Sequence, residues 1–259
     1  MARIHLFEFE DLSWFPNSIR ESMTDYLGFV LDKLKFYDPV VPLLAEKMTL
    51  LQINTIVDVC SGSGLPVKGI FPTLNKQHTV RFLLTDKFPN LSSYKKLKAN
   101  SGGKIDYVET SVDAMNVSKE LRGLRTIFSA IHHFKEEQVK RILKDTIKKN
   151  MPIGIFDSGD KNIFTILGII FIHPIIFFFV TPFLKPFRWS RIIFTYFIPI
   201  TPFCTVWDGV ISILRLYSPK ALLKLAEEAD ENEEFHWEYG KLKNKKGFKI
   251  TYLTGIPTK

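Results

Sequence analysis

Five short apolar runs recur between residues 51 and 160, each stopped by a turn former or a charge, and they restrict the fold more than any other feature of the chain. The runs are 55–60 (TIVDVC), 81–85 (RFLLT), 104–109 (KIDYVE), 126–130 (TIFSA) and 152–156 (PIGIF). Polar stretches with helical spacing separate them. In 135–150, Val139, Ile142, Leu143 and Ile147 share one helical face. Strands that are apolar on both sides and alternate with helices form a parallel sheet with right-handed crossovers. The end of the chain reads differently. Ser218-Pro219 resembles an N-cap followed by proline at the first helical position, opening a helix to about Ala229. Phe235, Trp237 and Tyr239 then alternate with polar residues, as do Phe248, Ile250 and Tyr252, across a basic turn within 241–249. This predicts an antiparallel pair that ends an otherwise parallel sheet.

Residues 1–50 mix aromatics, charges and Pro16, Pro39 and Pro42, which predicts helices at 17–34 and 42–50 in an N-terminal helical cap. The chain of 259 residues is long enough to bury a sizeable core. Its two cysteines, Cys60 and Cys204, form no disulfide framework and match no zinc spacing. The opening residues turn acidic too early for a secretory leader, so a reducing cytosolic compartment is expected.

The first run ends Asp58-Val59-Cys60-Ser61-Gly62-Ser63-Gly64. A strand that breaks into a glycine turn and then a helix brings backbone N–H groups close to a ligand. A purely structural tight turn has the same spacing. The second run is closed by Asp86, 22 residues after Gly64. A carboxylate there accepts both hydroxyls of a ribose, so the pair predicts a nucleoside-containing ligand across the carboxyl edge of the sheet. A dinucleotide fingerprint requires a third glycine where this chain has Val67, which disfavours a nicotinamide-dependent reductase.

The order of these features resembles the class I S-adenosylmethionine-dependent methyltransferases, over roughly residues 50–160 and 208–259. The segment Asp58-x-Cys60-x-Gly62-x-Gly64 follows their first motif except at Cys60, where the family usually has glycine. The resemblance implies a Rossmann-like, seven-stranded, mostly parallel α/β sheet with a terminal antiparallel hairpin. It implies that Asp58, Cys60, Gly62 and Gly64 hold the amino-acid end of S-adenosyl-L-methionine and that Asp86 binds the ribose. It also implies that Asp113 binds the adenine, although a helix N-cap would explain Asp113 as well. The fourth run leads into Ile131-His132-His133-Phe134, the strand end that in this family faces the transferred methyl group. A neutral histidine is suited to removing a proton near pH 7, so His132 and His133 are catalytic candidates; the alternative is that they cap the next helix. On an extended segment the two rings would point to opposite sides, so no metal is expected.

Between the fifth run and the last helix, residues 162–184 and 192–206 carry no charge, and ten of the 23 phenylalanines lie in 162–206. The first stretch is long enough to span a bilayer. Pro174, Pro182, Pro186, Pro199 and Pro202 argue against straight spanning helices. Strands of one sheet lie on both sides of this insert, which excludes a single crossing. A hairpin would put Lys185, Arg188 and Arg191 on the far side, against the positive-inside tendency. The expected form is a pair of broken helices in the membrane interface, with Trp189 and Tyr196 at the acyl boundary and Lys/Arg near phosphates. A soluble helical lid or a dimer contact is the competing reading. After the insert, Trp207, Asp208 and Arg215 are candidates for substrate binding; Asp208 and Arg215 could instead pair with each other. The net charge of +8 suits an anionic surface, and no basic, aromatic-interleaved stripe points to nucleic acid.

The expected organisation is an N-terminal cap (1–50), a methyltransferase core (51–160 and 208–259) and an apolar insert (161–207). The expected activity is methylation of a lipophilic small molecule (a lipid, quinone or phenol) at the cytoplasmic side of a membrane, by a peripheral or monotopic protein. A membrane-bound regulatory module that keeps the cofactor fold without turnover is the alternative.

Overall fold

Runs of β-branched residues separated by amphipathic helices dictate the sheet seen in the computed structural model, which describes residues 3–258. The expected cap and core therefore extend beyond the described residues at 1–2 and 259. The elements in chain order are α1 (Asn17–Leu34), α2 (Val40–Leu51), β1 (Thr55–Val59), α3 (Leu65–Gln77), β2 (Arg81–Thr85), α4 (Leu91–Asn100), β3 (Ile105–Tyr107) and β4 (Leu124–Phe128). They continue with α5 (Glu136–Lys148), β5 (Ile153–Ser158), α6 (Ile163–Val180), α7 (Trp189–Ile192), α8 (Ile200–Arg215), α9 (Pro219–Ala229), β6 (Phe235–Lys243) and β7 (Lys249–Pro257). The chain divides into two compact units, Lys35–Ser158 with Tyr217–Lys259, and Met1–Leu34 with Gly159–Leu216. This division puts α2 with the sheet and residues 208–216 with the helices.

The sheet unit has the strand order 3-2-1-4-5-7-6. β1 to β5 are parallel, while β7 runs antiparallel to both β5 and β6. The order reverses between β1 and β4, where an open parallel sheet leaves a crevice at its carboxyl edge. One sheet face is sealed by α5 and α9. Val139, Ile142, Leu143 and Ile147 of α5 and Leu222, Leu225 and Ala226 of α9 pack with Val57, Ile127, Ile155 and Leu253. Each large aliphatic side chain buried there contributes roughly 1.5–3 kcal/mol before the entropy cost of ordering.

Local chemistry moved several boundaries. β4 starts at Leu124, two residues before the expected run, because Arg125 lies inside it. That guanidinium is fully buried and reaches Asp145 of α5 at 2.9 Å, so a charged residue occupies an interior strand position. Helix α2 begins two residues before Pro42, which sits in its first turn, where a missing N–H costs nothing. The final hairpin strands extend to Lys243 and from Lys249. Asn244 Oδ1 organises the turn by accepting the N–H groups of Lys246 (2.9 Å) and Phe248 (3.0 Å).

In the helical unit, α6 runs unbroken through Pro174, contrary to the expectation that this proline would interrupt it. The breaks fall instead at Pro182, in a 3-10 turn, and at Pro199, which opens α8. Ile163–Phe183 has the length and composition of a membrane crossing, and the segments Trp189–Phe197 and Ile200–Arg215 meet at a bend of 82°. Helix α1 packs on α6 through Tyr26 and Phe177, whose ring centroids are 4.5 Å apart. It also neutralises the basic end of the insert. Arg188 lies 2.6 Å from Glu21 and 3.2 Å from Asp25, and Arg191, 1% exposed, binds Asp25 and the Leu184 carbonyl. Two of the three cations expected near lipid phosphate are therefore held by α1, and Lys185 is the exposed one.

Candidate cofactor and acceptor site

The carboxyl end of β1 is knitted to β2 before any ligand is considered. Ser61 N–H donates to the Thr85 carbonyl at 3.0 Å, and the Ser61 and Thr85 hydroxyls both donate to the Asp58 carbonyl. The turn then needs two left-handed residues, Gly62 (φ +54°) and Gly64 (φ +72°). A side chain at Gly64 would come within 2.6 Å of Leu97 Cδ1, whereas one at Gly62 would project into open space. Gly64 is thus needed for packing, and Gly62 leaves room above the turn. Cys60 also has a positive φ, +59°, a conformation that costs a non-glycine residue about 1–2 kcal/mol. Burial, together with Asp86, Asp58 and Asp113, pushes its thiol well above the ordinary range, so it stays protonated at neutral pH.

Asp58 is 1% exposed and accepts the Thr126 hydroxyl of β4 at 2.7 Å. Burial pushes its carboxyl up to about 7, against the opposing effect of that hydrogen bond. A buried carboxyl poised there is stabilised as the anion by an arriving cation such as an ammonium group. Asp86, at the end of β2, accepts Gly62 N–H through Oδ2 and Phe88 N–H through Oδ1, both at 2.8 Å. Each oxygen retains one acceptor position, and two such positions match the two hydroxyls of a ribose. Val112 N–H donates to the Asp86 carbonyl at 2.9 Å, which brings the segment after β3 to the same edge. There Asp113 caps a turn, accepting Met115 N–H at 2.9 Å, and its other oxygen lies 3.8 Å from Lys87 Nζ. No helix directly follows it, so the alternative of a helix N-cap gives way to a turn cap. The donor set therefore fits S-adenosylmethionine: a buried carboxyl for the amine, room above Gly62, and a half-occupied carboxylate for the ribose.

The ends of β4 and β5 carry a second group. Residues Ile131–His133 form a 3-10 turn, not the extended segment expected, so the His132 and His133 rings lie side by side with centroids 4.3 Å apart. Buried His132 Nδ1 lies 2.8 Å from Oδ1 and 3.0 Å from Oδ2 of buried Asp157 at the end of β5. That contact fixes the orientation of the ring, with Nδ1 facing the carboxylate. Next to Asp157, Ser158 Oγ lies 2.6 Å from Ser129 Oγ, which is in turn hydrogen-bonded to the Tyr37 hydroxyl. In the sequence Asp157 and Ser158 only follow the fifth apolar run, as the charge and turn former that stop it. Sequence reasoning missed Tyr37 and Ser129, which only the closure of β4 on β5 brings together.

Trp207, Asp208 and Arg215 converge as well, but on the chain's own N-terminal segment. Asp208 accepts the N–H groups of Phe9 (2.7 Å) and Glu10 (3.1 Å), and Trp207 donates to the Phe7 carbonyl at 3.1 Å. Arg215 donates to the Leu6 carbonyl and pairs with Glu8 at 2.9 Å and Asp11 at 2.8 Å. Asp208 and Arg215 thus bind adjacent residues of that segment instead of each other.

No protein-family model matches the sequence, and no curated protein matches it. Solved structures do. The plantazolicin methyltransferase BpumL, in complex with SAH, aligns with a TM-score of 0.57 at 12% identity, covering 96% of this chain and 94% of that one. The plantazolicin methyltransferase BamL, in complex with a triazolic desmethylPZN analog and SAH, gives 0.55 at 14%, covering 93% and 98%. Human N-acetylserotonin methyltransferase, in complex with SAM, gives 0.51 at 11%, covering 93% of this chain. The chain spans only 57% of that human protein, and 53%, 58% and 55% of three further solved structures. Sheet order, the antiparallel seventh strand and the alignments with the two plantazolicin methyltransferases together show that the chain has the class I S-adenosylmethionine-dependent methyltransferase fold.

Proposed function

We propose that this protein is an S-adenosylmethionine-dependent methyltransferase that modifies a lipophilic small molecule at a membrane surface. The observation that carries the catalytic part is the grouping of Asp58, the open Gly62 turn and half-occupied Asp86 on one strand edge. S-adenosylmethionine, when bound, supplies an electrophilic methyl group on a sulfonium. Asp58 holds the amine, Asp86 the ribose and Asp113 the adenine end. His132, oriented by Asp157, accepts the proton of the acceptor. Alignment in a dry cleft supplies much of the remaining rate.

The membrane part is supported by the helical unit. Phe164, Phe171, Phe179, Phe183, Trp189 and Phe197 are all more than half exposed, and apolar residues cover every side of α6. A helix apolar all round is buried in protein or lipid. A lipid-plane position fits better than a crossing, because α1 lies against α6 and carries Arg20, Glu21, Asp25, Asp32 and Lys33. Those charges would be costly in hydrocarbon. We therefore place the protein as a peripheral or monotopic one at the cytoplasmic face, keeping a water-soluble cofactor and a membrane-dissolved acceptor on one chain. The test is calorimetric titration with S-adenosylmethionine, followed by incubation of labelled cofactor with a lipid extract. Binding with methylated lipid is expected. No binding contradicts the reading, and binding without transfer favours the regulatory module.

A further inference from the structure

The three hydroxyls of Tyr37, Ser129 and Ser158 form a continuous hydrogen-bonded chain at the ends of β4 and β5, and the cofactor reading does not use them. Three hydroxyls carry three protons, and the two links between them consume two. One proton remains for a partner outside the chain, on Ser129 or at either end. The Tyr37 end is closed: its ring is buried and packs edge-on against Phe128 at 5.2 Å. The Ser158 end is partly exposed at the sheet edge. Ser129 is held at φ +46° at this point, a backbone conformation that a serine adopts only when its surroundings fix it. Asp58 and Asp157 both act on the Tyr37 hydroxyl electrostatically, so both carboxyls lie near the chain.

We infer that Ser129 and Ser158 form a subsite for a hydroxyl oxygen of the acceptor, with Tyr37 as the positioning residue behind them, so that the acceptor class is an alcohol or phenol. Either serine link can run in both directions. The chain therefore donates to an oxygen or accepts from an O–H, and it still donates to the ether that methylation produces. A proton acceptor held by Asp157 fits the same class, since a hydroxyl must lose its proton and a neutral amine need not. Cooperative polarisation along the chain strengthens its terminal donor.

This inference rests on the methyltransferase reading, and the test separates the two. The full chain is loaded with S-adenosylhomocysteine, whose binding is measured first by calorimetry. Binding of 4-fluorophenol and of fluorobenzene is then followed by fluorine NMR. The phenol is expected to bind about tenfold more tightly than fluorobenzene, the scale of a net hydrogen bond. S129A and S158A should abolish that preference and leave fluorobenzene and S-adenosylhomocysteine binding unchanged. Ser158→Thr, which keeps the hydroxyl, should restore it, and Tyr37→Phe should reduce it without loss of thermal stability. Failure to bind S-adenosylhomocysteine overturns both readings. Cofactor binding with equal affinity for the two probes, or a preference that survives S129A and S158A, overturns the hydroxyl subsite alone.

Discussion

Protonation of Asp58 should be visible in cofactor affinity. Burial raises this carboxyl to about 7, whereas an ordinary aspartate titrates near 3.8. An ammonium group beside it stabilises the anion and lowers that value again. At pH 6 about nine-tenths of the free protein carries the proton, and binding must expel it. With the bound-state value well below 6, affinity for S-adenosylhomocysteine should be about tenfold weaker at pH 6 than at pH 8, because the penalty factor is about 1 + 10^(7−6). Calorimetry in buffers of different ionisation enthalpy should register the release of close to one proton per ligand at pH 6 and little at pH 8. Asp58→Asn should bind more weakly and without this pH dependence. A wild-type affinity that is flat from pH 6 to 8, with no proton released, would refute contact between Asp58 and the cofactor amine. The sign for folding is also fixed. The folded protein holds this proton above the unfolded carboxyl's value, so the contribution is full below about pH 4 and is lost as pH rises through about 7.

Asp86→Ala should weaken S-adenosylhomocysteine binding by about 1–3 kcal/mol through lost charge-assisted hydrogen bonds, and unchanged affinity would remove the ribose assignment. Gly62→Ala and Gly64→Ala should separate ligand space from packing. Both lose about 1–2 kcal/mol of stability to left-handed strain. Gly62→Ala should in addition block the cofactor, while Gly64→Ala, with its Cβ against Leu97, should lower the melting temperature further. Phe171→Asp with Phe179→Asp, at side chains 64% and 74% exposed, should abolish flotation with phosphatidylcholine vesicles while far-UV circular dichroism and cofactor binding persist. Flotation by the double variant would count against this face as the anchor.

The sheet was legible because its signals are local. The β-branched runs, the Gly62–Gly64 turn and Asp86 all lie within one strand–turn–helix–strand unit, and the structure brings Asp58, Asp86 and Asp113 to one edge as their order implied. The start of β4 was hidden by Arg125, whose partner Asp145 is 20 residues away. The His132–His133 orientation departs from the extended expectation because a 3-10 turn, invisible to periodicity, follows β4. Pro174 does not break α6, because tertiary packing such as that of Tyr26 on the helix overrides its local preference. The links of the Tyr37–Ser129–Ser158 chain span 92 and 29 positions, and isolated serines and a tyrosine carry no pattern. The spacing of Asp208 and Arg215 suggests a pair with each other, but their partners at 6–11 lie about 200 positions away and beyond any local rule.

A crystal structure of the full chain grown with S-adenosylhomocysteine addresses the central claim most directly. The account predicts density above Gly62, with the ribose on Asp86 and the amino group toward Asp58. Density elsewhere on the molecule, or none under conditions that saturate a methyltransferase, would contradict it.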